Sequence, residues 1–340
     1  MLVAVCARAN QVGITSVQSD DFHSVPGSDF RDVIQAYREL VQEERLTVRV
    51  YEQCALSGME ELRKFWDCGY RSGKGDSMYR LGPLKLFCDG SLGARTAWLA
   101  EPYSDDPGNR GIAIYPREED LFALVEEAHK MGMAVAIHCI GDKAAEQAVK
   151  AIEKANDKYP GRNNRHGLVH AQILNPSLCK RMQKEGIHAY IQPIFIEYDL
   201  YMAEDRVGSE RIKSSYNWRD MKDMGIILAF GSDSPVENFR PVYNIYSAVT
   251  RKDLDGRPAD GWYPRQALTL DESIDAYTRW SAYASYEEEE KGRIAPGMFA
   301  DLVVMEEDLY EIEPEAIKDV DVFMTVVDGK IRYHASEEQK

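Results

Sequence analysis

The sequence predicts an α/β fold built on a parallel β-sheet, and three observations support this prediction. Short runs rich in β-branched residues alternate with longer amphipathic segments, which is the pattern of repeated strand–helix units. Several helical segments end at a glycine just before the next strand (Gly132, Gly186 and Gly225), as expected for a helix C-cap. Most strand segments are apolar throughout, as in a sheet that helices cover.

The strands and the clearest helices can be assigned in chain order. The strand segments are Ile14–Val17, Leu46–Tyr51, Leu84–Cys88, Ala134–Ile140, Arg165–Ala171, His188–Phe195 and Ile227–Gly231. The clearest helices are Glu118–Met131, Lys143–Lys158, Pro176–Glu185 and Trp218–Met224. Seven strands are one fewer than a closed (β/α)₈ barrel contains, and a doubly wound open sheet can also be built from seven strands. The count alone therefore leaves both architectures open.

The C-terminal part of the chain has a different character. Thr269 and Glu272 predict a capping box at the start of a helix that runs to about Tyr286. Ala300–Met305 and Val322–His334 are then predicted as strands, and the second is a hairpin that turns at the Asp-Gly pair of residues 328 and 329. This small β unit is too thin to be stable alone.

Composition and charge limit the classes of function. Of 340 residues, 44% are hydrophobic and 29% are charged, as in ordinary globular proteins. The net charge of −16 repels phosphate backbones, so we expect no nucleic-acid partner. No apolar run is long enough for a membrane span, and the first residues lack a basic signal-peptide region. We expect a cytoplasmic protein with reduced cysteines and a small-molecule substrate, and homo-oligomerisation stays open.

Four strand segments carry an ionisable residue at or near their C-terminal ends: Lys85, His138, His170 and Asp233. The carboxyl ends of parallel barrel strands meet at one face, where active sites are built. Two imidazoles and a carboxylate are a common ligand set for a divalent metal. Their shared position at the strand ends therefore favours a common site.

Each of these residues also has an ordinary structural interpretation. His138 ends a very apolar strand and can be a satisfied core histidine, and the same holds for His170. Asp233 can begin a turn or cap a helix, and Lys85 can be a surface lysine with a packed aliphatic stem. His166 lies four residues before His170, so we expect it to face the same way, about 13 Å lower on the strand.

Several longer motifs resemble one protein family. They are KLFCDGSLGARTA (85–97), EPYSD (101–105), IHCIGDKA (137–144), VHAQ (169–172), GSDSPV (231–236) and KGRIAPGMFADLVV (291–304). In this order and spacing they resemble the YtcJ-like proteins of the amidohydrolase superfamily (amidohydrolase family 3), and the likeness covers nearly the whole chain. The resemblance implies metal-dependent hydrolysis on a TIM-like (β/α)₈ barrel that carries a small β-sandwich.

The resemblance also implies a strand numbering. The family places such a lysine, two histidines and an aspartate on barrel strands 4, 5, 6 and 8, so the predicted strands correspond to strands 2–8. Strand 1 of the family carries an HxH metal motif, and no HxH occurs in this sequence. We therefore expect a chain that lacks the family's N-terminal part. Barrel strands 2–8 would lie within residues 1–290, and the C-terminal part of the sandwich within residues 291–340.

Roles for the site residues follow from the same resemblance. It implies that Lys85, His138, His170 and Asp233 bind one or two divalent ions, with zinc the expected metal, and that Asp233 is the general base and acid. Lys85 is expected either as a carboxylated bridging ligand or as an unmodified lysine that pairs with Asp89 or with substrate. The expected substrate contacts are Ser91, Arg95 and Gln192.

The implied activity is hydrolysis of a non-peptide C–N bond in an amide, a formamide or a cyclic amide by a metal-activated water. Two alternatives stay open on the sequence alone. One is an inactive, truncated amidohydrolase fragment without the HxH ligands. The other is a non-catalytic α/β protein that binds a small molecule and whose histidines are structural.

Overall fold

Seven parallel strands pair in chain order in the computed structural model, which describes residues 1–337. The strands are β1 Ser16–Ser19, β2 Arg49–Ala55, β3 Tyr79–Phe87, β4 Val135–Cys139, β5 Gly167–His170, β6 His188–Ile191 and β7 Leu228–Phe230. Each one overlaps a strand segment predicted from the sequence. The α/β class and the parallel sheet are therefore confirmed.

Helices precede, connect and follow the strands along the chain. They are α1 Leu2–Gln11, α2 Phe30–Gln42, α3 Met59–Asp67, α4 Glu118–Lys130, α5 Asp142–Lys158, α6 Pro176–Glu185, α7 Ile196–Asp199, α8 Ala203–Arg211, α9 Trp218–Asp223, α10 Pro241–Thr250, α11 Leu270–Tyr277 and α12 Arg279–Ala284. Within residues 1–337, no helix has the length and apolar character needed to cross a bilayer.

One predicted helix is divided in two. The capping box at its start is confirmed, because Thr269 Oγ1 accepts the N–H of Glu272 at 3.2 Å and Glu272 Oε2 accepts the N–H of Thr269 at 2.8 Å. The single helix expected up to Tyr286 is wrong, since Thr278 leaves helical geometry with φ −118° and ψ −85°. This break lets α12 turn toward the sheet.

The sheet is strongly curved, and the α11–α12 segment lies between its two edges. Gln18 of β1 donates to the carbonyl oxygen of Ser281 at 3.1 Å. The ring of Tyr277 lies 5.7 Å from that of Phe230 in β7. Inward-facing side chains of β4 to β7 form a cluster with Ala284 of α12 on the concave face. The seven strands thus form most of a barrel wall, and the assignment of the missing strand as strand 1 of the family's barrel stays a prediction.

A second, antiparallel sheet packs beside the first. It consists of β8 Leu302–Met305, β9 Val322–Val327 and β10 Lys330–His334, with β9 in the centre. The hairpin predicted at the Asp-Gly pair is confirmed, and Asp328 has a φ of 55° and Gly329 a φ of 71°. The predicted domain boundary at residue 290 and the sandwich origin of this sheet stay predictions. Residues 338–340 of that predicted unit lie outside the described residues.

Candidate active site

Two histidines meet at the carboxyl ends of neighbouring strands β4 and β5. His138 shares the concave face with Ala136, whereas Val169 is the inward-facing residue of β5, so strict alternation would turn His170 outward. His170 instead has a left-handed backbone with φ 75°, and Ala171 follows with φ 49°. This rare conformation re-aims the ring of His170, which lies edge-on to His138 with centroids 4.5 Å apart.

His166 does not share the orientation of His170. Its Nε2 lies 2.9 Å from Nδ1 of His129 in α4, and its Nδ1 accepts the N–H of Val135 at 3.1 Å. The expectation that His166 and His170 face the same way is therefore wrong. The cause is the backbone turn at His170, which a period-two argument does not include.

His138 is held by the segment that follows β3. Its Nε2 lies 3.0 Å from the carbonyl oxygen of Gly90 and 3.3 Å from Oδ1 of Asp89. Both neighbours are acceptors, so Nε2 carries the proton and Nδ1 presents a lone pair. Asp89 is itself fixed, because it accepts the N–H groups of Ile140 at 3.0 Å and Gly141 at 2.7 Å.

Gln192 fixes the tautomer of His170 in the same manner. The side-chain amide of Gln192 donates from Nε2 to the carbonyl oxygen of Tyr190 at 3.3 Å, which leaves Oε1 facing Nδ1 of His170 at 2.7 Å. Nδ1 must then donate, and Nε2 keeps its lone pair. Burial, with smaller effects of His138 and Lys85, holds the pKa of His170 well below its usual value. His170 is thus neutral, the form that binds metals.

Lys85 lies on the concave face of β3 and pairs with a carboxylate that the sequence did not single out. Its Nζ is 3.6 Å from Oδ2 of Asp20, the residue directly after β1, and 4.8 Å from the ring centroid of Phe87. The alternative pairing of Lys85 with Asp89 is not formed, because Asp89 binds backbone N–H groups and His138.

Asp233 lies in the turn after β7, near the same group. Its φ of 56° is left-handed, as at His170. Desolvation by the surrounding protein raises the pKa of Asp233, Asp20 raises it further, and Lys85 and His138 oppose the shift. Groups on β3, on β4 and directly after β1 therefore all influence the pKa of this carboxyl. The geometry brings the four predicted residues to one end of the sheet.

The ring nitrogens of the two histidines fit two ligand positions of a divalent-metal site. His138 and His170 are adjacent, and each presents one lone pair. Three or more protein ligands are usual for such a site. Across residues 1–337, no group of three or more His, Cys, Asp or Glu side chains is arranged to hold an ion. The fit is therefore partial.

The three predicted substrate contacts have different surroundings. Gln192 orients His170, as described. Arg95 is engaged elsewhere, because its Nε and Nη2 contact Asp105 at 3.1 and 2.7 Å, and Asp105 also pairs with Arg206. The hydroxyl of Ser91 accepts the N–H of Ala94 at 3.4 Å within the same loop. Substrate contact by Ser91 and Arg95 stays a prediction.

Sequence reasoning missed Asp20 entirely and missed the contact between Asp89 and His138. A signal was present for both residues. Asp20 directly follows β1, and Asp89 comes two residues after β3, so both lie at the carboxyl ends of strands, where the active-site face of a parallel barrel lies. The predicted strand Ile14–Val17 ended too early to place Asp20 there.

Comparison with known proteins identifies the family of this chain. A family model described as "Amidohydrolase family" matches residues 2–333. The chain belongs to the amidohydrolase family. This confirms the resemblance drawn from the motifs.

Two curated relatives and one solved structure show how far the similarity extends. The YtcJ protein of Bacillus subtilis (strain 168) is 38% identical over 256 residues, which are 75% of this chain and 47% of that protein. The N-substituted formamide deformylase of Arthrobacter pascens is 26% identical over 261 residues, or 75% of this chain and 46% of that enzyme. The chain thus spans about half the length of these curated relatives.

The solved structure is that of an uncharacterized metal-dependent hydrolase from Pyrococcus furiosus. The two chains superimpose with a TM-score of 0.74 at 28% sequence identity. The match covers 87% of this chain and 57% of the Pyrococcus chain. The curved parallel sheet is therefore the fold of a metal-dependent hydrolase. The family implies a divalent metal, which is consistent with the partial fit of the two histidines.

Proposed function

We propose that the protein acts as a metal-dependent hydrolase on a non-peptide C–N bond in an amide, a formamide or a cyclic amide. One observation carries this proposal: His138 and His170 lie 4.5 Å apart between ring centroids, and each presents a lone pair. The relative from Arthrobacter pascens, named for its action on N-substituted formamides, supports formamides as a first class to test.

His138 and His170 would hold the metal, with zinc as the proposed ion and with Lys85 and Asp233 beside it. A bound divalent ion polarises a carbonyl and lowers the pKa of water to about 7. The two histidines need further ligands, because catalytic zinc sites use about three from the protein. Among residues 1–337 no third His, Cys, Asp or Glu side chain completes such a group, so the proposal gives the third position to Lys85 in its carbamate form.

Lys85 can take part in two forms. As an ammonium it pairs with Asp20 at 3.6 Å and would repel a metal cation. As a carbamate formed with CO₂ it would be an anion, and it would have to leave Asp20. We propose the carbamate as the metal-binding form and the ammonium as the form in the metal-free protein.

Asp233 supplies the proton transfer. It would accept a proton from the attacking water as the new C–O bond forms, and would return it to the nitrogen as the C–N bond breaks. The products are a carboxylic acid and an amine. A carboxyl whose pKa is raised by burial suits both steps, because a general base and acid works best near the operating pH.

Metal content and hydrolysis test this proposal together. The 340-residue chain, loaded with Zn²⁺, should hydrolyse an N-substituted formamide, and His138→Ala and His170→Ala should each lose metal and activity. His23→Ala is the matched control, since that side chain is 51% exposed and distant in sequence from both ligands. Full activity in both site variants would overturn the assignment.

One observation favours a second candidate, a non-catalytic amidohydrolase fragment. The ligands gathered in residues 1–337 are fewer than a metal site needs, and the sequence contains no HxH. In that case the wild-type chain would bind zinc no better than His138→Ala does. Equal zinc affinity of the two proteins would therefore select this candidate.

A further inference from the structure

A phenyl ring is exposed directly beside the candidate site. Phe87, the last residue of β3, is 43% exposed, and it is the one large hydrophobic residue of the described strands β1 to β7 that is exposed. It lies two residues after Lys85, so both side chains are on the concave face. An aromatic ring exposed at this position is unusual, because the other large apolar side chains of these strands are buried or half-buried.

Phenyl rings flank both histidines. The ring centroid of Phe87 lies 5.6 Å from that of His138. On the other side, Phe195 stacks on His170 with centroids 5.7 Å apart and ring planes 20° apart. The pair of histidines is thus bounded by two aromatic rings, and Phe87 is the more exposed of the two, since Phe195 is half-buried.

Segments that follow other strands of the sheet also carry exposed apolar side chains. Tyr198 is 66% exposed and lies three residues after Phe195. Val236 is also 66% exposed, and its N–H donates to the carbonyl oxygen of Asp233 at 2.8 Å. Segments that carry Lys85, Asp233 and the stacking partner of His170 therefore each present an exposed apolar side chain. Exposed apolar side chains beside a few polar groups are a feature of ligand-binding grooves.

We infer that the preferred substrates are amides that bear an aromatic ring, and that this ring packs against Phe87. The inference rests on the proposed function in one respect, the position of the amide carbonyl beside His138 and His170. An aryl group fits the exposed ring because aromatic pairs gain free energy beyond the burial of area. A saturated ring of equal size gains the burial alone.

Ligand-observed NMR on the 340-residue chain tests this without metal or turnover. The probes are 2-phenylacetamide, 2-cyclohexylacetamide and acetamide. The phenyl protons should receive the strongest saturation transfer from the protein. 2-Phenylacetamide should bind several-fold more tightly than the cyclohexyl analogue, and acetamide should bind weakest.

Variants assign the effect to one side chain. Phe87→Ala should weaken 2-phenylacetamide binding about tenfold, and Phe87→Leu should remove the preference for the phenyl over the cyclohexyl probe. Phe323→Ala is the matched control, because Phe323 of β9 is 40% exposed on the other sheet, and it should change nothing. Circular dichroism should show that all three variants are folded.

The outcomes separate this inference from the proposed function. Binding of 2-phenylacetamide that depends on Phe87, without hydrolysis of any probe in Zn²⁺, supports the substrate class and contradicts the catalytic proposal. Hydrolysis with no phenyl preference, or binding that Phe87→Ala leaves unchanged, overturns the substrate class and leaves the catalytic proposal intact. Absence of binding of every probe also overturns the inference.

Discussion

Asp89 Oδ1 lies 3.3 Å from Nε2 of His138, and the same carboxylate accepts the backbone N–H groups of Ile140, Gly141 and Trp98. One buried side chain therefore orients a candidate ligand, satisfies the backbone at the start of α5 and fixes the loop after β3. Each of its two oxygens lies within bonding distance of two donors. The positions of three segments of the site depend on it.

Replacement of Asp89 should destabilise the protein strongly. Asp89→Ala leaves three buried N–H groups without an acceptor, so we expect a loss of about 3–5 kcal/mol in the free energy of unfolding. Asp89→Asn keeps one oxygen and should lose less. Urea unfolding measures both. Asp255→Ala, at an exposed ion pair with Arg257, should stay within about 0.5 kcal/mol of wild type, and an equal loss there would contradict the explanation.

The fold was predictable where the pattern is local. Strand and helix segments alternate with clear periodicity, and the capping box at Thr269 and the Asp-Gly hairpin carry their own signals. The break of the helix at Thr278 has no such signal, because it arises where α12 turns to fill the space between β1 and β7. Tertiary packing decides that position.

Gln192 should control which nitrogen of His170 carries the proton. Gln192→Leu removes the acceptor 2.7 Å from Nδ1, so the ring should no longer favour the tautomer with a free Nε2. Nitrogen-15 NMR of the histidine rings reports this directly. Zinc affinity should fall about 10–100-fold, as measured by competition with a coloured chelator.

Two variants serve as controls for this prediction. Gln192→Glu keeps an acceptor and should keep the tautomer. Gln183→Leu changes an exposed glutamine on α6 and should have no effect. An unchanged His170 tautomer in Gln192→Leu would contradict the assigned role.

The candidate site was predictable in part, and the missed part has a physical cause. Lys85, His138 and Asp233 lie at strand ends, where position alone favours a site. The inward turn of His170 depends on a left-handed backbone. The partner of Lys85, Asp20, follows β1, which lies two strands away from β3 in the sheet. Neither a backbone turn of this kind nor a pairing between distant segments leaves a local pattern in the sequence.

A buried arginine connects the two sheets and should be essential for stability. Arg49 of β2 is 1% exposed, and its Nε and Nη2 contact Asp301 at 2.6 and 2.9 Å, while the ring of Phe299 lies 3.9 Å from the guanidinium carbon. Arg49→Met leaves Asp301 buried without its partner and should cost about 3–5 kcal/mol. Urea unfolding checks this.

The double variant separates the ion pair from packing. Arg49→Met with Asp301→Leu removes both charges, so it should recover part of the loss caused by Arg49→Met alone. Arg45→Met breaks an exposed pair with Glu43 and should cost little. If the double variant lost more free energy of unfolding than the two single variants lose together, the ion pair would not be the source of the effect.

Buried histidines at the opposite end of the sheet should make stability depend on pH. Val135 donates its N–H to Nδ1 of His166, so Nε2 of His166 carries the proton and donates to Nδ1 of His129. An added proton on His166 would break the bond to Val135. Burial lowers the pKa of His166 to about 3, and burial with the nearby charge of Arg165 lowers that of His188 to about 3.

Because both pKa values are lowered in the folded chain, stability should fall as the pH falls. Above pH 6.5 both histidines are neutral in the folded and unfolded chains, so they give no pH dependence. As the pH falls from 6.5 toward 3, the unfolded chain binds protons that the folded chain cannot. Stability should then fall by about 1.4 kcal/mol per pH unit for each histidine. His188→Leu should remove about half of this slope between pH 6 and 5, measured by urea unfolding. His23→Leu, which changes a half-exposed histidine, should keep the slope, and an unchanged slope in His188→Leu would contradict the prediction.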